Sequence, residues 1–388
     1  MKRREFCRQL MIVGGAVVLA PLVKGCAPEA NPTPAGHTPL PPTARPASTR
    51  TPFPAPTVPP AAMEALDPTA TAQPPDPTAS PQPSPTTALP AATVALVNTT
   101  DRAWGVREAL RLLDHNPARG SRVLLKPNYN SADLAPASTH PAVLRALVEE
   151  IQGMGARTIT VGERSGMGDT RVVLTQTGVF SLGEEMGFDT VVFDELDEPD
   201  WVVRQDADYH WQAGYAVPRL LLDSDCVIQT CNLKTHRYGG HFTMSLKNSV
   251  GFAAKRVSSG GYNYMTELHN AAYQRQMIAE INTAYSPGLI VVDGVEAFLD
   301  GGPAQGTLAA PNVVLAGSDP IAVDAVGVAI LRLFGTTPEV SEGKIFDLAQ
   351  IARAVELGLG IDTPQRINLI TGDAASAAYA AQLRPLLV

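Results

Sequence analysis

The chain reads as an α/β protein, with a mostly parallel sheet carrying helices on both faces, as one large domain or two interlocked subdomains. Three observations predict this. Short β-branched runs are separated by helical patterns, as in βαβ units. One helical pattern, residues 141–154, is plainly amphipathic: Val143, Leu144, Leu147, Val148 and Ile151 share a side, while Arg145, Glu149 and Gln152 lie elsewhere. Polar clusters also recur where apolar runs end. Lys126-Pro127-Asn128 follows 122–125, and Gly162 to Gly166 follows 158–161. Asn232, Lys234, Thr235 and His236 follow 227–230, Asp293-Gly294 follows 289–292, and Gly317-Ser318-Asp319 follows 313–316. Open parallel sheets bind ligands outside the carboxyl ends of their strands. Five stretches of chain are therefore expected to deliver reactive side chains to one edge.

The elements follow in order. A strand near 93–97 precedes a helix from 104 to about 115. The next strand ends at Lys126, and a loop leads to His140. Pro141 suits the first turn of the amphipathic helix. A strand ends at Glu163, a helix covers 180–186, and 190–193 is a strand. Residues 195–218 carry no clear pattern. After the strand holding Cys226 come a helix at 242–250 and one long helix at 265–285. Strands at 289 and 313 precede a nearly all-apolar helix at 320–334. Helix 345–357, strand 366–370 and helix 374–383 close the chain, and there is no internal repeat.

The N-terminus reads as an address. Lys2-Arg3-Arg4-Glu5-Phe6-Cys7-Arg8 resembles the twin-arginine export motif, and an apolar stretch at 10–23, too short to span a bilayer comfortably, follows. Val23-Lys24-Gly25-Cys26 is similar to a lipoprotein cleavage box, with Cys26 as the lipid attachment site. Lys24 fits it awkwardly, so cleavage without lipid and an uncleaved anchor stay open. Residues 1–26 are thus a signal, and the resemblance implies a folded protein on the outer face of the cytoplasmic membrane, held there by N-terminal lipid. Residues 27–92 hold 20 prolines among Thr, Ala and Ser, and are read as a disordered tether. At about 3.1 Å per residue it would reach roughly 200 Å. The globular part is 93–388.

The formal charge of the whole chain is −8. Without residues 1–25, which hold five basic groups and one acid, 25 basic groups face 37 acidic ones, a charge of −12. That argues against nucleic acid as a partner. Beyond the signal and anchor, the cysteines are Cys226 and Cys231. On one strand they lie roughly 16 Å apart, at about 3.3 Å per residue, and point to opposite faces, so they cannot pair. The steps of five through Cys226, Cys231, His236 and His241 match no zinc spacing, and no four-Cys spacing for an iron–sulfur cluster exists here.

Three groups could carry chemistry. Lys126, Lys234 and Lys247, with Asn128 and Asn248, suit a phosphate, carboxylate or enolate; the plainer reading is surface lysines. His236, His140 and His269 are candidates for proton transfer, with His140 equally suited to a helix cap and His241 to the surface. Asp293, Asp319 and Asp324 are candidate ligand-binding residues, and Asp293 and Asp324 could bind a divalent metal or orient a histidine. Asp319-Pro320 also reads as a helix cap. Asp324, inside an apolar helix, needs a lysine, a metal or backbone donors as partner. Gly162, Gly166 and Gly168 match no nucleotide fingerprint, and form a phosphate cradle or a plain tight turn.

Together these residues resemble the family catalogued as domain of unknown function 362. Leu125-Lys126-Pro127-Asn128 and Thr139-His140-Pro141 are similar to its opening. Asn232 to His236, Leu246-Lys247-Asn248, His269 and Val292-Asp293-Gly294 are similar to its centre, and Gly317-Ser318-Asp319-Pro320 with Asp324 to its end. The stretch 297–302 departs from the family's Glu-Gly-Asn-Gly. Some members are fused to ferredoxin-type iron–sulfur modules, which implies a redox partner protein; this chain lacks the module. The family has no settled reaction. Whether the chain is an enzyme therefore stays open. One reading is an enzyme of proton-transfer type, isomerase- or racemase-like, or a redox-linked one, acting on an anionic small molecule or cofactor. The alternatives are a non-catalytic lipid-anchored binding protein and a scaffold of a surface redox complex.

Overall fold

Period-two alternation lets one strand feed two cores at once. The computed structural model describes residues 91–388, and these follow that logic throughout. The first half comprises β1 (Ala92–Asn98), α1 (Arg102–Leu113), β2 (Arg122–Lys126), α2 (Pro141–Gly153), β3 (Thr158–Glu163), α3 (Thr170–Gln176), α4 (Val179–Met186) and β4 (Asp189–Val192). A hairpin of β5 (Trp201–Arg204) and β6 (Tyr215–Pro218) leads through α5 (Arg219–Asp223) to β7 (Cys226–His236), β8 (His241–Thr243) and α6 (Ser245–Asn248). Next are α7 (Tyr264–Asn270), α8 (Gln274–Ile281), β9 (Pro287–Phe298), β10 (Leu308–Ala309), β11 (Val313–Gly317) and α9 (Pro320–Leu333). The chain closes with α10 (Pro338–Ser341), α11 (Ala349–Glu356), β12 (Ile367–Ile370) and α12 (Ala374–Leu383).

One sheet runs through the unit in the order β12-β1-β11-β9-β7-β2-β3-β4, with β10 beside β9 and β8 beside β7. Val94, Leu96, Cys231 and Leu233 face the core that α9, α11 and α12 cover. Ala95, Val97 and Ile228 face the opposite core, under α1 and α2. Cys226 and Cys231 therefore fall on opposite faces, both free. A third core joins Leu124 and Val227 to the β5–β6 hairpin, Phe252 and α8. Apart from Asp324, helix α9 is apolar on every side over residues 320–331, all of which are buried. The α/β class with helices on both faces is thus the observed one, and the described residues form one unit, not two interlocked subdomains.

Three local expectations need correction. Strand β11 is antiparallel to both its neighbours, β1 and β9. A parallel return needs a long crossover, usually helical. The link from Phe298 to Val313 instead folds β10 back on β9 and holds no helix. The helix expected at 242–250 starts at Ser245, because Phe242 and Thr243 pair with Thr235 and Lys234. The single helix expected at 265–285 is two, parted where Ala271 turns extended at φ −76° and ψ 138°. The second piece, α8, is held to the hairpin segment by Trp211 Nε1 donating to Met277 O at 3.1 Å.

The export motif, the apolar stretch, Cys26 and nearly all of the tether lie outside the described residues. Among the described residues no helix is long and apolar enough to cross a membrane.

Candidate functional site

Unequal strand lengths create the site. Strands β2 and β3 stop at Lys126 and Glu163, whereas β7 runs on. Its pairing with β2 ends at Lys126 opposite Gln229, so Lys234 and His236 sit on an overhang with no β2 residue beside them. Helix α6 brings Lys247 and Asn248 back over that overhang, and α7 closes the far side with Met265 and His269. The cavity between them, open on one side to solvent, is about 1100 Å³. It collects Lys126, Asn128, Lys234, His236, Lys247, Asn248 and His269 from the sequence-based set.

Burial makes these charges consequential: Lys126, Glu163, Arg164 and Lys234 are at most 3% exposed. Lys126 Nζ lies 2.6 Å from Glu163 Oε1 and donates to Pro127 O at 2.6 Å. Glu163 also accepts from the backbone N–H of Tyr129 and of Arg164, each at 2.8 Å. A Cβ at Gly251 would stand 2.6 Å from Lys126 Nζ and 2.8 Å from Glu163 Oε1, so the glycine lets the backbone close over the pair. Lys234 donates to Asn128 Oδ1 at 2.8 Å and to Ala137 O. Asn128 donates to Asn248 Oδ1 at 3.3 Å, and Asn248 donates to Gln229 Oε1 at 3.2 Å. Arg164 donates to Val250 O and points at Met265 Sδ. Of the remaining cavity lysines, Lys255 pairs with Asp194 at 2.7 Å.

Arg164, Lys234 and Lys247 have no carboxylate within ion-pair distance among the described residues. Burial, then the neighbouring Lys247, pulls Lys234 down to about 7. Burial, then Arg164, pulls Lys247 down to about 8. Burial with Lys247 and Lys234 holds His236 well below its ordinary value, so its ring is neutral at pH 7. Among the described residues its buried Nδ1 has no hydrogen-bond partner, nor has Oγ1 of Thr243, which lines the same cavity. Buried cations without counter-ions and an orphaned ring nitrogen are expensive unless a ligand completes them.

Four expected residues lie elsewhere. His140 caps α2, its Nδ1 accepting from Ala142 N at 3.1 Å. Asp293 is held by Arg102 Nε at 2.8 Å and accepts from Val295 N. Asp319 caps α9, accepting from Ile321 N and Ala322 N at 2.9 Å. Because β11 is reversed, its trailing Asp319 belongs to the opposite edge of the sheet. Asp324 takes backbone donors as its partners, not Lys234 or Lys247. It accepts from Ser245 N at 2.7 Å and Leu246 N at 3.1 Å, and so caps α6. Asp293 and Asp324 are engaged separately, and among the described residues no group of three or more His, Cys, Asp or Glu side chains is placed to hold a metal ion. Glu163 and Arg164, absent from the sequence-based site, are central to it. Their signal was available, since they follow a strand end as Lys126 does.

The architecture and cavity define an α/β protein with a cation-rich site at strand ends. The family described as "Domain of unknown function (DUF362)" matches residues 123–329, just over half of the chain, and the chain belongs to this family. A curated relative, Thylakoid-associated protein sll1697 of Synechocystis sp., is 26% identical over 216 residues, 55% of this chain. The match spans 64% of that protein's length. Among solved structures, the lactate racemase apoprotein from Thermoanaerobacterium thermosaccharolyticum is similar at a TM-score of 0.36 and 12% identity. That match covers 76% of this chain and 86% of the other. At this similarity neither its reaction nor its site carries over.

Proposed function

We propose that the cavity binds an anionic small molecule and moves a proton on it, in a reaction of isomerase or racemase type. One observation carries the reading. Arg164, Lys234 and Lys247 reach one cavity without a carboxylate partner, beside a neutral His236 whose Nδ1 is unengaged. A carboxylate or phosphate would supply the missing counter-charge, and an enolate formed from it would be held by the same donors. His236 is the base in this scheme. Lys234, drawn to about 7, supplies either protonation state near neutrality and serves as the acid.

The test uses the full chain. Thermal stabilisation is screened against a panel of carboxylates and phosphates, and the best ligand is then followed by NMR in D₂O. The expected result is stabilisation followed by exchange of a C–H next to the anionic group, lost in His236→Gln. Stabilisation without exchange would leave a binding protein. No stabilisation by any anion would remove the reading altogether.

The proposal also places the folded unit outside the cytoplasm, on a lipid anchor at Cys26 and a long tether. Arg3-Arg4 with Phe6, and Cys26 after Gly25, support it. A relative described as thylakoid-associated agrees with a membrane setting. Cys26→Ala should move the chain from the membrane to the soluble fraction. An unchanged distribution would rule the anchor out.

A further inference from the structure

We propose that Lys247 is a nucleophile that forms an imine with the carbonyl carbon of an oxo acid, while His236 moves the protons beside it. The inference rests on the anion-binding reading above and names its substrate class. Four lysines line the cavity, and three are engaged. Lys126 is held by Glu163, Lys234 by Asn128 and Ala137 O, and Lys255 by Asp194. Lys247 has neither hydrogen bond nor ion pair among the described residues and stays partly exposed to the cavity. The one amine without a protein acceptor is therefore the one free to react.

Its surroundings fit that role. The turn between β7 and β8 brings Gly240 against it: a Cβ there would collide with Lys247 Cε and lie 3.3 Å from His236 Nδ1. The absence of that Cβ lets the end of the Lys247 stem and the His236 ring approach the same turn. Desolvation and a neighbouring cation are the two devices that make a lysine nucleophilic, and both act here, through burial and Arg164. At about 8, roughly a tenth of Lys247 is the neutral amine at pH 7. Lys234 and Arg164 remain to hold the acid group of the same molecule.

The step balances without a further reactant. The neutral Nζ adds to the carbonyl carbon, and one of the two protons on Nζ passes to the carbonyl oxygen, which becomes a hydroxyl. Nδ1 of His236 takes a proton from the nitrogen and returns it to that hydroxyl, which leaves as water. The C=O bond and two N–H bonds are exchanged for a C=N bond and water. Protonation of the imine then makes an electron sink that acidifies the adjacent C–H, the bond whose proton the proposed reaction moves.

Borohydride trapping tests this. The full chain is incubated with 2-oxoglutarate or phenylpyruvate, reduced, and mapped by peptide mass spectrometry. The expected product is a reduced adduct on Lys247. It should be absent from Lys247→Arg, which keeps the charge and should still be stabilised by the same acids. Stabilisation of the wild type without an adduct, or an adduct on other lysines alone, overturns the imine and leaves the anion site standing. Failure of both stabilisation and trapping overturns both.

Discussion

At the scale of single residues, Lys126 and Glu163 show how the site is held. Both are buried, and each is the other's counter-charge at 2.6 Å. Burial pulls Lys126 below the ordinary lysine value, against the attraction of Glu163. Removing one partner of such a pair leaves an uncompensated buried charge, which costs about 3–5 kcal/mol. Glu163→Leu should lower unfolding stability by about that much in urea titrations. The double change Lys126→Met with Glu163→Leu should recover most of the loss. Equal stability of the single and double variants would show the pair to be solvated in practice. Residue type at a strand end made Lys126, Lys234 and His236 legible in the sequence. Glu163 stands at a strand end too, but a carboxylate there carries a weaker signal, because it looks like the start of any loop until the lysine opposite it is known. His140 misled for a related reason: a histidine before Pro141 serves a cap and a catalyst equally well, and only the bond from Ala142 N decides between them.

Among the elements, α6 matters most and was least legible. It is four residues long, has no side-chain cap of its own, and carries Lys247 and Asn248. Its N-terminal N–H groups are satisfied from another helix by Asp324. A cap contributed across 79 residues leaves no local pattern to read. Losing such an acceptor costs about 2 kcal/mol. Asp324→Ala should lose about that stability and also weaken anion binding, because α6 then no longer holds Lys247 over β7. Asp324→Asn keeps one acceptor oxygen and should fall between. Burial raises Asp324 from 3.8 to about 7, so the folded form holds its proton more tightly than the unfolded chain. Its stabilising contribution is then full below about 4 and fades as pH rises towards 7. Wild type should lose stability over that range relative to Asp324→Asn, as measured by urea midpoints. Parallel slopes would place the titration elsewhere. The reversed β11 was legible in principle, since no helical pattern lies between Phe298 and Val313, and it alone moves Asp319 to the far edge.

On the scale of the whole molecule, an acidic chain of net charge −8 keeps a cavity in which, among the described residues, the inner charges without a counter-ion, Arg164, Lys234 and Lys247, are all cationic. A surface cluster would lose its hold on an anion in salt, because exposed charges are screened beyond about 8 Å at physiological ionic strength. Buried lysines are screened much less, and their own protonation governs them instead. Lys234 is drawn down to about 7 and Lys247 to about 8, so both change charge close to neutrality. An anion binds their ammonium forms, and affinity should be highest below about 7. It should fall at least tenfold between about pH 7 and pH 9. The bound anion favours the charged amines, so calorimetry in two buffers of different ionisation enthalpy should record proton uptake near pH 8. In Lys234→Met the lower inflection should vanish while the upper one, from Lys247, remains. Doubling the salt at pH 6.5 should matter far less than one unit of pH. The reverse ranking, strong salt dependence with affinity flat from about pH 6.5 to 9, would mean that the anion sits at the rim with Lys255 and Arg256 and never reaches the inner lysines.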